Sequence, residues 1–218
     1  MIRIALALVL TLCVTPAHAQ LRGHGGPVRA LGVSPDGTQA LSGSFDSSAI
    51  RWSLTRNDAE QVLRHHDDAV NAVALLADGR AVTAGADGRV ALWTPGKGAP
   101  DSVLQGHTAP VVALAVSADG TMLASASWDN TVRVWPVAGG SPRVLEGHTQ
   151  NVNGVAFTPD GKAVVSASYD LTLRIFPLDG APATIITLPA PLSAVAVAGS
   201  VMMVAGAPSS GQTRSVRS

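Results

Sequence analysis

Four times along this 218-residue chain a histidine, a hydroxyl residue and an aspartate recur at matching distances. The sets are His24, Ser42 and Asp46; His66, Thr83 and Asp87; His107, Ser125 and Asp129; and His148, Ser166 and Asp170. A Ser-His-Asp trio has the composition of a hydrolase site, in which the imidazole takes the hydroxyl proton and the carboxylate orients the ring. A nucleophile, however, is needed once. Fourfold recurrence assigns these residues to a repeated scaffold, whereas function sits in particular sites. The reading is therefore of no catalytic residue and no enzyme.

A second tempting cluster is His65-His66-Asp67-Asp68, two imidazoles and two carboxylates of the kind that hold metal ions. His66 already belongs to the repeated set, and neighbouring side chains diverge, so no metal site is expected. The chain has no phosphate-cradling glycine loop, no zinc-protease helix and no C-x-x-C-H haem-attachment motif. Cys13 is the only cysteine, so no disulfide can form within one chain. No cofactor is called for. Fifteen basic and fifteen acidic residues balance, and phosphate binding needs a basic excess, so no nucleic-acid partner is expected.

The elements that must position the recurring residues repeat with them. Leu-Arg-Gly-His ends at His24, Leu-Arg-His-His at His66, Leu-Gln-Gly-His at His107 and Leu-Glu-Gly-His at His148, with spacings of 42, 41 and 41 residues. After each comes an apolar run and then a turn at Asp36-Gly37, Asp78-Gly79, Asp119-Gly120 or Asp160-Gly161. The hydroxyl residue and the aspartate follow. Six residues beyond each aspartate stands a ring: Trp52, Trp93, Trp135 and Phe176. Short β-branched or small-residue runs between turn signals, such as Val111 to Val116, read as strands. Four short strands per roughly 40 residues make one blade of a propeller, and blades stack because neither face can be buried alone.

On these residues the chain resembles the WD-repeat (WD40) family of β-propellers, over about residues 21 to 188. The Trp-Asp pair that names the family is not intact, since Ser53, Thr94 and Pro136 follow the tryptophans and Pro177 follows Phe176. The resemblance implies an all-β fold of four complete four-stranded blades, near residues 24–64, 66–104, 107–145 and 148–188, plus a partial fifth, in an incomplete or open ring. It also implies that each set forms a buried hydrogen-bond network, in which the aspartate accepts from the histidine and the hydroxyl links histidine to tryptophan. Burying any of these groups unpaired is costly, which explains why they occur together. Phe176 has no N–H, so the fourth network is expected to be the weakest, and Asp129→Ala should cost more stability than Asp170→Ala.

The resemblance further implies a protein-interaction scaffold whose partners bind at exposed loops of one rim. The position before each turn aspartate is Phe45, Ala86, Trp128 or Tyr169, three of them aromatic in a chain with 4% aromatics. Aromatic residues dominate binding hot spots, although such rings can also simply cover neighbouring loops. Arg29, Asn71 and Asn153, near the start of each blade's first strand, are expected on the same rim.

The two ends depart from the repeat. Arg3, the uncharged apolar run from Ile4 to Val14, Pro16 and Ala17-His18-Ala19 form the pattern of a secretory signal peptide over residues 1–19, cleaved near Ala19. The apolar run is too short for a membrane span, which needs about 20 residues. Export to a bacterial periplasm or outside the cell is the expectation, with no membrane attachment afterwards. Residues 20–188 carry the four repeats, 189–206 begin a fifth that loses the pattern, and 207–218 read as a disordered polar tail. Truncation or frameshift of a longer protein, closure as a small propeller, and assembly with a second copy through open blade faces would each account for this, with truncation favoured. The chain is also similar to bacterial exported proteins in which a WD-repeat propeller precedes a c-type cytochrome domain. That resemblance gives the alternative of a propeller portion from an electron-transfer protein, with the haem domain absent here and a missing C-terminal domain as partner.

Overall fold

The computed structural model describes residues 22–198, 201–206 and 214–217. All regular structure among them is β-strand, in five antiparallel sheets whose strands follow chain order from one edge to the other. The first blade is β1 (Val28–Val33), β2 (Gln39–Ser44), β3 (Ser48–Ser53) and β4 (Asp58–Arg64). The second is β5 (Val70–Leu75), β6 (Ala81–Gly85), β7 (Val90–Trp93) and β8 (Ser102–Leu104). The third is β9 (Val111–Val116), β10 (Met122–Ser127), β11 (Val132–Pro136) and β12 (Arg143–Leu145). The fourth is β13 (Val152–Phe157), β14 (Ala163–Ser168), β15 (Thr172–Pro177) and β16 (Thr184–Thr187).

Turn chemistry sets these lengths. Between the first two strands of a blade, an aspartate accepts from a hydroxyl two residues before it and from an N–H two residues after it. Ser34, Asp36 and Thr38 do this in the first blade, and Ser117, Asp119 and Thr121 in the third. Such side-chain bonds satisfy the tight turn that reverses the chain. The next turn is reversed by a residue with positive φ just after each network aspartate: Ser47, Gly88, Asn130 and Leu171.

Blades pack large face on small face. On the first strand of the third blade, Val111, Leu114 and Val116 turn back toward the second blade, while Ala113 and Ala115 turn forward toward the fourth. Alternation along a strand produces this two-faced pattern. Four apolar clusters result, one at each junction of neighbouring blades. The first strands β1, β5, β9, β13 and β17 touch in succession, which aligns them along one side of an arc.

The fifth sheet holds more than the sequence suggested. A hairpin of β17 (Leu192–Ala198) and β18 (Val201–Gly206) repeats the first two strands of a blade. The tail expected to be disordered supplies a third strand, β19 (Arg214–Arg217), paired along β18 from Val201↔Arg217 to Val204↔Arg214. The open edge of β18 provides backbone donors and acceptors that a passing segment can satisfy whatever its side chains, which is why composition pointed elsewhere. Residues 207–213 of that tail, and the signal-like segment 1–19, lie outside the described residues. Among the described residues no strand of the first sheet packs extensively on a strand of the fifth, consistent with an open arc.

Candidate functional site

Each blade brings its histidine, hydroxyl residue and aspartate into one chain of contacts. In the third blade His107 Nδ1 lies 2.7 Å from Asp129, His107 Nε2 lies 2.8 Å from Ser125 Oγ, and the Trp135 indole N–H donates to the same Oγ at 2.8 Å. The second blade repeats this with Asp87, His66, Thr83 and Trp93 at 3.0, 2.8 and 3.0 Å. In the first blade Asp46, His24, Ser42 and Trp52 join at 3.1, 2.7 and 2.7 Å. A carboxylate only accepts, so the proton sits on Nδ1. A neutral ring then accepts at Nε2 from the hydroxyl, whose lone pair takes the indole N–H. Every member is satisfied with no charge on the imidazole.

The fourth blade lacks the last link. His148 meets Asp170 at 2.8 Å and Ser166 at 2.7 Å, but no indole reaches Ser166. The Phe176 ring nonetheless stands where a tryptophan would. It lies 6.3 Å from the His148 ring at 70°, against 6.2 Å and 67° for Trp135 and His107.

Sequence reasoning missed most of each aspartate's donors. Asp129 also accepts from the Thr131 hydroxyl and from the N–H groups of Thr131 and Thr108. Asp46 and Asp170 have the same set from Ser48 and Gly25, and from Thr172 and Thr149. The signal was the hydroxyl two residues after three of the four aspartates. In the second blade Arg89 stands there and pairs with Asp67 at 2.9 Å. Burial alone would raise the Asp129 carboxyl, but bonds from His107 and Thr131 outweigh it and hold it well below the usual carboxylate range. Asp46, Asp87 and Asp170 are likewise held low against burial. At His148 burial wins over Asp170 and lowers the ring below its ordinary value.

This geometry matches a hydrolytic trio in contact but not in access. Ser125, Ser166 and Thr83 are fully buried, and Ser42 nearly so. In three blades the attacking lone pair already accepts an indole proton. What the arrangement does chemically is tie the second and third strands, the turn between them and the entering loop of a blade together. The networks differ in bonding and in exposure. Blade four is missing a bond, but blade one is the most open to water: the Asp46 side chain is 18% exposed, against 5–6% for the other three aspartates. Its network faces backward, where no described residue seals it as the preceding blade does in the other three.

The His65-His66-Asp67-Asp68 run disperses. His66 is in the network, Asp67 pairs with Arg89, and Asp68 accepts from the Ala69 N–H. His65 lies edge-on to Trp93 at 6.3 Å. Among the described residues no group of three metal-ligating side chains converges. The presence of histidine at position 65 has a packing reason. In blades three and four the equivalent residue is Gly106 or Gly147, at φ +149° and +130°, and a Cβ there would strike the guanidinium of Arg133 or Arg174. Arg133 lies over the Trp135 ring at 5.9 Å. Blade two has Ala91 where the arginine would be, and His65 fills that space.

Phe45, Trp128 and Tyr169, the candidates for a partner-binding rim, are all exposed, each held next to the start of its blade's first strand by its backbone N–H. Arg29 is exposed. Asn71 and Asn153 are half-buried and serve as links between blades: their amides donate to the carbonyls of Val111 and Leu192, on the first strand of the next blade. Trp128 crosses from blade three to blade four by donating its indole N–H to Asn153 at 3.0 Å.

No curated protein matches the chain. The profile of the WD domain, G-beta repeat, matches residues 15–53, 58–94, 98–136 and 139–176. The second, third and fourth matches each begin near the outer strand of one blade and end on the third strand of the next, so the family's repeat spans a blade junction. These matches cover well over half of the sequence, and with the four networks they show that the chain belongs to the WD40 repeat family.

Proposed function

We propose that this protein is an exported interaction scaffold that captures a protein partner on the rim carrying Phe45, Trp128 and Tyr169, without catalysis of its own. WD40 repeats form a fold that generally mediates protein–protein contact and is generally non-catalytic. The observation that carries the reading is the exposure of these three rings, 56%, 42% and 40%, at one repeated rim position. The four network rings are buried and already have a structural role. Amphipathic rings on a rigid rim supply contact area at little entropic cost, and Arg29, exposed on the first strand of blade one, adds a cation. The rim is chemically mixed and the chain is neutral overall, which suits a protein surface better than a polyanion.

The test is to replace Phe45, Trp128 and Tyr169 together with alanine. Proteins of the native host retained by the intact chain and lost by the variant, at an unchanged melting temperature, would support the rim. Identical retention by both would refute it. Export is supported by the signal-like residues 1–19 and is tested by N-terminal sequencing of the protein recovered from its host. A start at Gln20 in the exported fraction is expected, and an uncleaved cytosolic chain would refute it.

A further inference from the structure

We infer that copies of this chain join end to end, with the backward face of blade one seated on the forward face of blade five of a second copy. This inference is independent of the rim.

The molecule makes the same kind of junction four times internally. Along the first strands, large apolar side chains of the later blade lie toward the small residues of the earlier one, as Val111, Leu114 and Val116 do toward Ala72 and Ala74. At the first-strand position of Val28 the later blades carry Val70, Val111, Val152 and Leu192, all between 0 and 3% exposed, whereas Val28 is 56% exposed. Leu31 and Val33, further along β1 on the same face, are 69% and 54% exposed, while Leu75 and Phe157 at the position of Val33 are buried. Blade one thus presents the large half of a junction that no described residue covers. Behind it, Ile50 and Trp52 form a small isolated cluster covered by the passing chain at Gly23.

Blade five presents the other half. Its forward face carries Ala194 and Ala196 on β17 and Met203 and Ala205 on β18, all exposed. The position of Ala205 is occupied by Gly43 in blade one, where an added Cβ would stand 2.7 Å from Val70 Cγ1 and 3.0 Å from Val73 Cγ1. That position is small because large side chains of the next blade press on it. Blade five has small residues at Ala194, Ala196 and Ala205, and these are exposed among the described residues. Val70 and Val73 correspond to Val28 and Leu31, so the free large face and the free small face are the two halves of one established junction. A face of this kind cannot pair with itself, because large would meet large. The contact is therefore head to tail, which gives a closed ring where the rotation permits and a growing chain of copies where it does not. A second copy docked on blade one would also cover the most open of the networks, at Asp46.

The experiment measures the mass of the purified chain by light scattering from nanomolar to high-micromolar concentration. The expected result is a concentration-dependent rise above the 22.1 kDa of one chain. Leu31→Glu should weaken association by about tenfold or more while leaving the melting profile intact, because Leu31 is exposed in the single copy. Direction is read by mixing two chains, each with Cys13 replaced by serine, one carrying Leu31→Cys and the other Ala205→Cys. Oxidation should yield the mixed disulfide dimer well above either self-pair. A single-chain mass throughout, an unaltered association in Leu31→Glu, or preferential Leu31→Cys self-pairing would each overturn the inference. So would a double-cysteine chain that cross-links only within itself, which would signify closure of the arc by one copy.

Discussion

Blade four lacks one N–H that blade three has, and the two can be used as each other's control. Ser125→Ala removes the hydroxyl that holds both the Trp135 indole and the His107 ring. Two buried groups lose their partner, each at about 1–3 kcal/mol, so a loss of roughly 3 kcal/mol is expected. Ser166→Ala in blade four strands only His148 Nε2, because Phe176 has nothing to donate. Its loss should be smaller by about 1 kcal/mol. Trp135→Phe removes one hydrogen bond, about 1 kcal/mol, and the larger part of a ring, about 2 kcal/mol more. The double variant Ser125→Ala with Trp135→Phe should be less destabilised than the sum of the singles, with a coupling of about 1 kcal/mol. Urea unfolding at fixed temperature, followed by circular dichroism, gives each value from the midpoint and slope. The aspartate end is alike in the two blades, so Asp129→Ala should exceed Asp170→Ala only by what passes through the hydroxyl, on the order of 0.5 kcal/mol. Equal losses for Ser125→Ala and Ser166→Ala, together with additivity within about 0.3 kcal/mol in the cycle, would refute the claim that these residues act as one network.

Two further predictions follow from backbone and charge. Leu171 sits at φ +68° and is exposed, a conformation costing a side chain about 1–2 kcal/mol that asparagine tolerates better, so Leu171→Asn should raise the melting temperature by about 2–4 °C per kcal/mol recovered, and a decrease would refute the strain. The His148 pKa lies below its ordinary 6.5, so the unfolded chain takes up that proton first. Its stability contribution is full above about 6.5 and falls as pH drops below it. The aspartates, lowered from 3.8, add a steeper loss below about pH 4. A melting temperature that rises from pH 7 to pH 5 would refute the assignment of His148 as a buried neutral ring.

The sequence by itself determined the blades. A hydrogen-bond network needs particular atoms at particular places, so His107, Ser125, Asp129 and Trp135 had to recur in register, and strands and turns are local enough to be read between them. The sequence also carried the alternation of Val111, Leu114 and Val116 with Ala113 and Ala115. Only the tertiary structure showed which neighbour each face meets, because those contacts join residues about forty positions apart. It gave His65 its packing partner, since the missing arginine at Ala91 matters only where strand and loop are superposed. It showed that Asn71 and Asn153 tie neighbouring blades through the carbonyls of Val111 and Leu192. It placed Arg214–Arg217 in a sheet, because an open strand edge pairs through backbone groups that composition does not encode. And it left blade one's large face and blade five's small face exposed, since whether an arc closes depends on the summed rotation of its blades and not on any one repeat.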